Sequence, residues 1–261
     1  MRTLLYAGGV VTVVYGALCT LLYALQDWLI YHPTRDLSPP GAHPVLLKSN
    51  DATLKLWELH PQQPAAVLYF GGNAEDVSAN LPDFDVAFPD RAVYLVNYRG
   101  YGGSTGRASE GALISDAEAI FDWVAARHRR VAVIGRSLGS GIATALGTTR
   151  PIERLVLVTP YDSIANVAAA HFPWFPVRWL LKDHYDSSRR MGEVRAPVLA
   201  LVAGRDEVVP RARSDALIAA IPARLRHAVV LAGATHNDIS TYPAYLANLR
   251  DFLADHSRSG L

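Results

Sequence analysis

Cysteine is almost missing from this sequence, with Cys19 alone among 261 residues. A disulfide scaffold is excluded, because a covalent framework needs pairs. Charge of one sign is not in excess either, since 25 Lys and Arg stand against 24 Asp and Glu. Proteins that grip nucleic acid through its phosphates carry a clear basic surplus, so no nucleic-acid partner is expected. Collagen-like and low-complexity tracts do not occur, and a 50% hydrophobic composition is too apolar for disorder. The glycine signatures of nucleotide sites are absent, both the phosphate loop ending in Gly-Lys-Ser/Thr and Gly-x-Gly-x-x-Gly. His171 and His184 lie too irregularly among carboxylates for a metal site. Neither metal nor cofactor is expected.

What is present begins with a long apolar run. Thr3 to Gln26 contains no Asp, Glu, Lys, Arg or His and is bracketed by Arg2 and Asp27. As a helix it extends about 36 Å, slightly more than the hydrocarbon thickness of a bilayer. Tyr6 at one end, and Trp28 and Tyr31 at the other, suit the two interfaces. A single-pass membrane helix is expected over residues 1–31, ahead of a turn-rich linker over 32–44. The alternatives are a cleaved signal peptide and a buried soluble helix. The run exceeds a usual signal h-region, and no small-x-small site precedes Asp27. Leu18 also stands where a lipoprotein signal ending at Cys19 needs a small residue. Arg2 and the α-amine favour a cytoplasmic amino terminus, with Arg35 reducing the asymmetry. The remainder is then extracytoplasmic, and its freedom from cysteine suits an oxidising compartment.

From residue 45 to 261, short apolar runs alternate with helical patterns. Strands are expected at Val45–Leu47, Thr53–Leu59, Ala65–Phe70, Ala92–Asn97, Val131–Ile134, Leu155–Thr159, Val198–Ala203 and Ala228–Leu231. Five of these contain solidly apolar segments (VLYF, VYLV, VAVI, LVLV and VLALV), the mark of strands buried on both faces. Helical stripes run through Leu113, Ala117, Ile120 or Phe121 and Val124, through Leu217, Ile218 and Ile221, and through Tyr245, Leu246, Leu249, Phe252 and Leu253. The class implied is α/β, a mostly parallel eight-stranded sheet with helices on both faces. The long interval from Tyr161 to Ala196 reads as an insertion after the sixth strand.

Directly after VAVI comes Gly135-Arg136-Ser137-Leu138-Gly139, followed by a helix-compatible run. Where a strand reverses sharply into a helix, a central serine is forced into a strained backbone and its second neighbours must be glycine. Its hydroxyl is then held above the sheet edge. The Leu138 N–H, at the helix start, faces where an oxyanion would form. The alternative is a plain helix-starting turn capped by Ser137. A serine nucleophile needs a base, itself oriented by an acid. Of nine histidines, His236 follows the strand AVVL and a short loop, at the end of the eighth strand. Asp206 follows Val198–Ala203, with Glu207 as its neighbour and Asp162 after the sixth strand as a rival. Gly71-Gly72-Asn73 ends the third strand, allowing close backbone approach and making the Asn73 N–H the partner of Leu138 N–H.

These residues together resemble the α/β-hydrolases over about Val45 to Leu253. Within that superfamily the chain is similar to a membrane-anchored branch with protein depalmitoylases and lysophospholipid lipases, labelled by a serine-aminopeptidase-like domain. The residues that carry the resemblance are Ile30-Tyr31-His32-Pro33, Asn97-Tyr98-Arg99-Gly100-Tyr101-Gly102-Gly103-Ser104, Gly135 to Gly141, Ala234-Thr235-His236-Asn237-Asp238, and Pro173-Trp174 with Pro176. The resemblance implies a triad in the chain order Ser137, Asp206, His236. One departure is Gly71, which occupies the place of histidine in the family's His-Gly-Asn. Arg99 has two readings, a partner for substrate phosphate or for a structural carboxylate.

The insertion over about 161–196 is expected to form a small lid over Ser137. Phe172, Trp174, Phe175 and Trp179 within it either line an acyl site or pack the lid onto the body. The expected activity is hydrolysis of carboxylic esters or thioesters of acyl or lipid-like substrates through an acyl-enzyme, rising as His236 loses its proton. A peptidase would keep the triad and grip a free amine with carboxylates such as Asp183 and Asp186. A catalytically silent, membrane-tethered binding protein is the non-enzymatic alternative.

Overall fold

The computed structural model describes residues 2–37, 39 and 44–254. Within the expected linker 32–44, residues 38 and 40–43 lie outside the described residues, as do 255–261 at the end of the expected domain. The apolar run forms one helix, α1 (Arg2–Ile30). Its Tyr6–Ile30 stretch is long and apolar enough to cross a membrane.

Eight strands follow in one sheet: β1 (Pro44–Ser49), β2 (Ala52–Leu59), β3 (Ala65–Phe70), β4 (Ala92–Val96), β5 (Arg130–Arg136), β6 (Leu155–Val158), β7 (Val198–Ala203) and β8 (Arg226–Leu231). Their order is β1-β2-β4-β3-β5-β6-β7-β8. The β1–β2 and β2–β4 pairs are antiparallel and every other pair is parallel. Strands β3, β4, β6 and β7 are buried along their whole length, which is why their sequences show no alternation. At the edges, β1 alternates between exposed and half-buried residues, and β8 is mostly exposed.

Helices connect the parallel strands, α2 (Leu81–Ala87), α3 (Glu110–Ala125), α4 (Leu138–Thr149), α5 (Ile164–His171), α6 (Val177–Leu180), α7 (Ser187–Met191) and α8 (Arg211–Ala220), and α9 (Pro243–Leu253) follows β8. Ser109 caps α3 by accepting from the Ala112 N–H, and the helix buries Leu113, Ala117, Ile120 and Val124, the stripe its sequence presents. Two apolar layers result, one on each sheet face. Leu68, Tyr94, Leu113 and Ile142 belong to one, and Tyr69, Phe84, Ile134 and Leu249 to the other. The 161–196 interval carries α5, α6 and α7 between β6 and β7. Parallel strands put their carboxyl ends on one rim, where crevices for ligands open in sheets of this kind.

Candidate active site

Four strand ends on that rim deliver the residues singled out by the sequence. Ser137 sits between β5 and α4 at φ 49° and ψ −116°, a left-handed conformation unfavourable for any residue with a Cβ. The flanking glycines are steric necessities: a Cβ on Gly135 would overlap the Gly139 carbonyl and Ala143, and one on Gly139 would overlap the Phe70 carbonyl. The Ser137 N–H donates to the Val158 carbonyl at 2.9 Å, fixing the turn to the end of β6.

His236 Nε2 lies 2.9 Å from Ser137 Oγ. Its Nδ1 is 2.8 Å from Asp206 Oδ2 and 3.0 Å from Oδ1. The Asp206 carboxylate also accepts from the Val208 N–H at 2.9 Å and the Val209 N–H at 2.7 Å, so it is held by donors other than the imidazole. Both side chains are buried, at 7% and 3% exposure. The other carboxylates are engaged elsewhere. Glu207 accepts from the His236 main-chain N–H, whereas Asp162 accepts from Ser163, Asn166 and Arg213.

On the far side of Ser137, the loop after β3 passes so close that a Cβ on Gly72 would stand 3.7 Å from the Ser137 Cβ. Leu138, as the first residue of α4, has an N–H with no acceptor inside its own helix. The side chain of Asn73 faces the other way. Its Nδ2 donates to the Ile30 carbonyl at 2.6 Å, and its Oδ1 accepts from the His32 N–H and the Tyr101 hydroxyl.

Above Ser137 lies a cavity of about 270 Å³, with Asn73 and Leu138 beside the serine and mainly apolar walls from α1 and the 161–196 segment. Phe172 lines it. Trp174 and Trp179 are 84% and 89% exposed and turned away from it, and Phe175 stacks on Tyr15 of α1 at 5.8 Å. Among the described residues no group of histidine, cysteine and carboxylate side chains has the geometry to hold a metal.

A family model described as serine aminopeptidase, S33, matches residues 83–188. An uncharacterized protein of Mycobacterium tuberculosis is 37% identical over 245 residues, covering 88% of this chain and 86% of the relative. The chain belongs to the α/β-hydrolase superfamily. Protein bem46 of Schizosaccharomyces pombe is 27% identical over 217 residues, covering 79% of this hydrolase and 73% of bem46. Among solved structures, the Pyrococcus furiosus esterase Pf2001 superimposes with a TM-score of 0.68 at 17% identity, covering 85% of the hydrolase and 98% of the esterase. That likeness is one of fold.

Arg99 of the hydrolase pairs with a structural carboxylate. Its Nε and Nη2 each reach Asp116 at 2.7 Å and its Nη1 reaches Asp51, bonds that hold its pKa above the usual arginine value.

Two residues around the site escaped sequence reasoning. Glu75 accepts from the Gly72 N–H and from the Tyr69 hydroxyl at 2.6 Å, bracing the glycine loop from beneath. Arg136 reaches the same carboxylate at 3.5 Å and donates to the carbonyls of His236 and Asn237 at 3.3 and 3.1 Å. Burial works against the Arg136 charge, yet Glu75 together with Tyr69 and Tyr245 holds its pKa above the usual arginine value. Burial likewise pushes the Tyr98 hydroxyl up, keeping it a donor to the Gly71 carbonyl at 2.6 Å. The signal was a charged residue inside an elbow and another on a glycine loop. Strands β3 and β5 are neighbours with Phe70 opposite Gly135, which brings the two loops out of the sheet side by side.

Proposed function

We propose that this hydrolase is a serine hydrolase that cleaves carboxylic ester or thioester bonds of acyl or lipid-like substrates. The observation that carries this reading is the unbroken series Ser137 Oγ, His236 Nε2, His236 Nδ1, Asp206, with contacts of 2.9 and 2.8 Å at the floor of an apolar cavity. Ser137 Oγ attacks the substrate carbonyl while His236 Nε2 takes its proton, and Asp206 orients the imidazole and offsets its positive charge. The Asn73 and Leu138 N–H groups hold the oxyanion. Collapse of the tetrahedral intermediate breaks the ester or thioester bond, and the imidazolium returns its proton to the leaving alcohol or thiol. A water activated by His236 then attacks the acyl-Ser137 ester, releasing the acid and restoring the serine. No cofactor enters the cycle.

The esterase named among the structural neighbours shares the fold on which this chemistry is proposed. The description of the matching family model favours an aminopeptidase. Against that stands the use already made of the carboxylates suited to a free amine, since Asp183 accepts from the Tyr31 hydroxyl and Asp186 caps α7. We also read α1 as a retained single-pass anchor with the domain on the extracytoplasmic side. Cleavage would remove Gln26, which is bonded to the domain through Leu180 and Lys182.

The deciding experiment is labelling of full-length protein by a fluorophosphonate probe, with hydrolysis of acyl esters, thioesters and aminoacyl amides alongside. Wild type is expected to label and to cleave the acyl compounds, and Ser137→Ala to do neither. A wild-type protein inert to probe and substrates is the outcome of a silent binding protein. Faster turnover of the aminoacyl amides is that of a peptidase.

A further inference from the structure

The inner face of the membrane helix belongs to the cavity. Leu22, Gln26, Leu29 and Ile30 all line it. Their spacing of i, i+4, i+7 and i+8 puts them on one face of α1, and together they span about 12 Å along the axis. Opposite them stand apolar side chains of the 161–196 segment, including Val167, Val177 and Leu180.

Three residues, Gln26 and Tyr15 in α1 and Tyr31 just past its end, tie the helix to that segment. Gln26, only 4% exposed, donates to the Leu180 carbonyl at 3.2 Å and accepts from the Lys182 N–H at 2.7 Å. A carboxamide in an apolar span is costly unless both ends are satisfied, and here both are. The Tyr15 hydroxyl donates to the Trp174 carbonyl at 2.9 Å. Beyond the helix end, Tyr31 donates to Asp183 at 2.7 Å and shares a hydrogen bond with Tyr185 at 2.8 Å. Other apolar residues of α1, Val11, Val13 and Leu21 among them, remain exposed.

We propose that α1 is a wall of the substrate site as well as an anchor, and that a fatty acyl chain lies between its Leu22–Ile30 face and the 161–196 segment with its carbonyl at Ser137. The inference rests on the serine-hydrolase reading and adds to it a ligand class and a specificity determinant. Side chains on α1 then set the chain length accepted, because the apolar length beside Leu22 and Leu29 is what the chain must fill.

The test uses the full-length protein in phospholipid nanodiscs and compares inactivation rates for ethyl and dodecyl fluorophosphonates. In Leu22→Trp, which fills the cavity, the dodecyl-to-ethyl rate ratio is expected to fall about tenfold or more relative to wild type. In Leu22→Ala, which enlarges it, the preference is expected to move to a hexadecyl probe, and this variant decides the matter if Leu22→Trp does not fold. Leu21→Trp, on the exposed face, is expected to keep the wild-type ratio. An unchanged ratio in the folded Leu22 variants overturns the role of α1 while leaving the serine chemistry intact. A wild-type protein inert to every probe overturns both.

Discussion

Asn73 and Ile30 are joined by a hydrogen bond of 2.6 Å from the Asn73 side chain to the Ile30 carbonyl, so the residue proposed to offer its main-chain N–H to the oxyanion is tied to the last residue of α1. Its other amide atom accepts from His32 and Tyr101. Asn73→Ala leaves the oxyanion donor in place but frees the loop that aims it. Each lost bond to a partly buried group is worth about 1–3 kcal/mol, so kcat is expected to fall roughly tenfold to a hundredfold. Steady-state kinetics on a short-chain ester check this, and an unaltered kcat removes the coupling.

Asp206→Asn tests the orienting carboxylate. Val208 and Val209 direct their N–H groups at Asp206 Oδ1, so an asparagine placing its carbonyl oxygen there turns its NH2 toward His236 Nδ1. The imidazole is driven into the wrong tautomer for accepting the serine proton. A loss of about 10³–10⁴ in kcat with a correctly folded protein is expected. Near-normal turnover would assign the orienting role to another carboxylate.

Much of this was readable in advance because of how the sheet is buried. Strands covered on both faces leave solid apolar runs, and so β3 and β7 match their expected limits to the residue. The rims are less distinct: β1 extends from Val45–Leu47 to Pro44–Ser49 because polar Lys48 and Ser49 still pair with Thr53 and Ala52. Ser137, Asp206 and His236 can be placed on one rim from chain order alone, because each closely follows a strand. The Glu75–Arg136 pair and the Gln26 clamp depend on which segments lie side by side, information that spacing along a chain does not carry. Aromatic content likewise does not reveal direction: Trp174 and Trp179 face outward, while the half-exposed Phe172 lines the cavity.

The Glu75–Arg136 pair is expected to matter more for stability than any exposed ion pair of this protein. Both side chains are 12% exposed. Arg136→Met leaves the Glu75 carboxylate with neutral donors only, from Gly72, Tyr69 and Asn80, and is expected to cost about 2–3 kcal/mol, less than for a buried charge with no other partner. Glu75→Gln with Arg136→Met should lose clearly less than the two single changes added together, since neither partner is left charged without the opposite charge beside it. Chemical denaturation of the four proteins in the cycle measures the coupling. Strict additivity would show that the two do not interact.

Ser137 holds a φ of 49° with ψ −116°, a backbone that glycine adopts readily and serine does not. Such a conformation stores about 1–3 kcal/mol, and it persists because the turn between β5 and α4 is fixed on every side. Glycine at this position relieves the strain but adds about 0.4–1 kcal/mol of unfolded-chain entropy. Alanine removes the hydroxyl and keeps the strained Cβ. Ser137→Gly is therefore expected to be more stable than Ser137→Ala by about 1 kcal/mol, the reverse of their usual order in regular structure, while neither reacts with a fluorophosphonate. In thermal unfolding the difference corresponds to roughly 2–4 °C. If alanine proves the more stable of the two, the elbow is not strained, and the geometry that lifts the Ser137 hydroxyl toward His236 needs another cause.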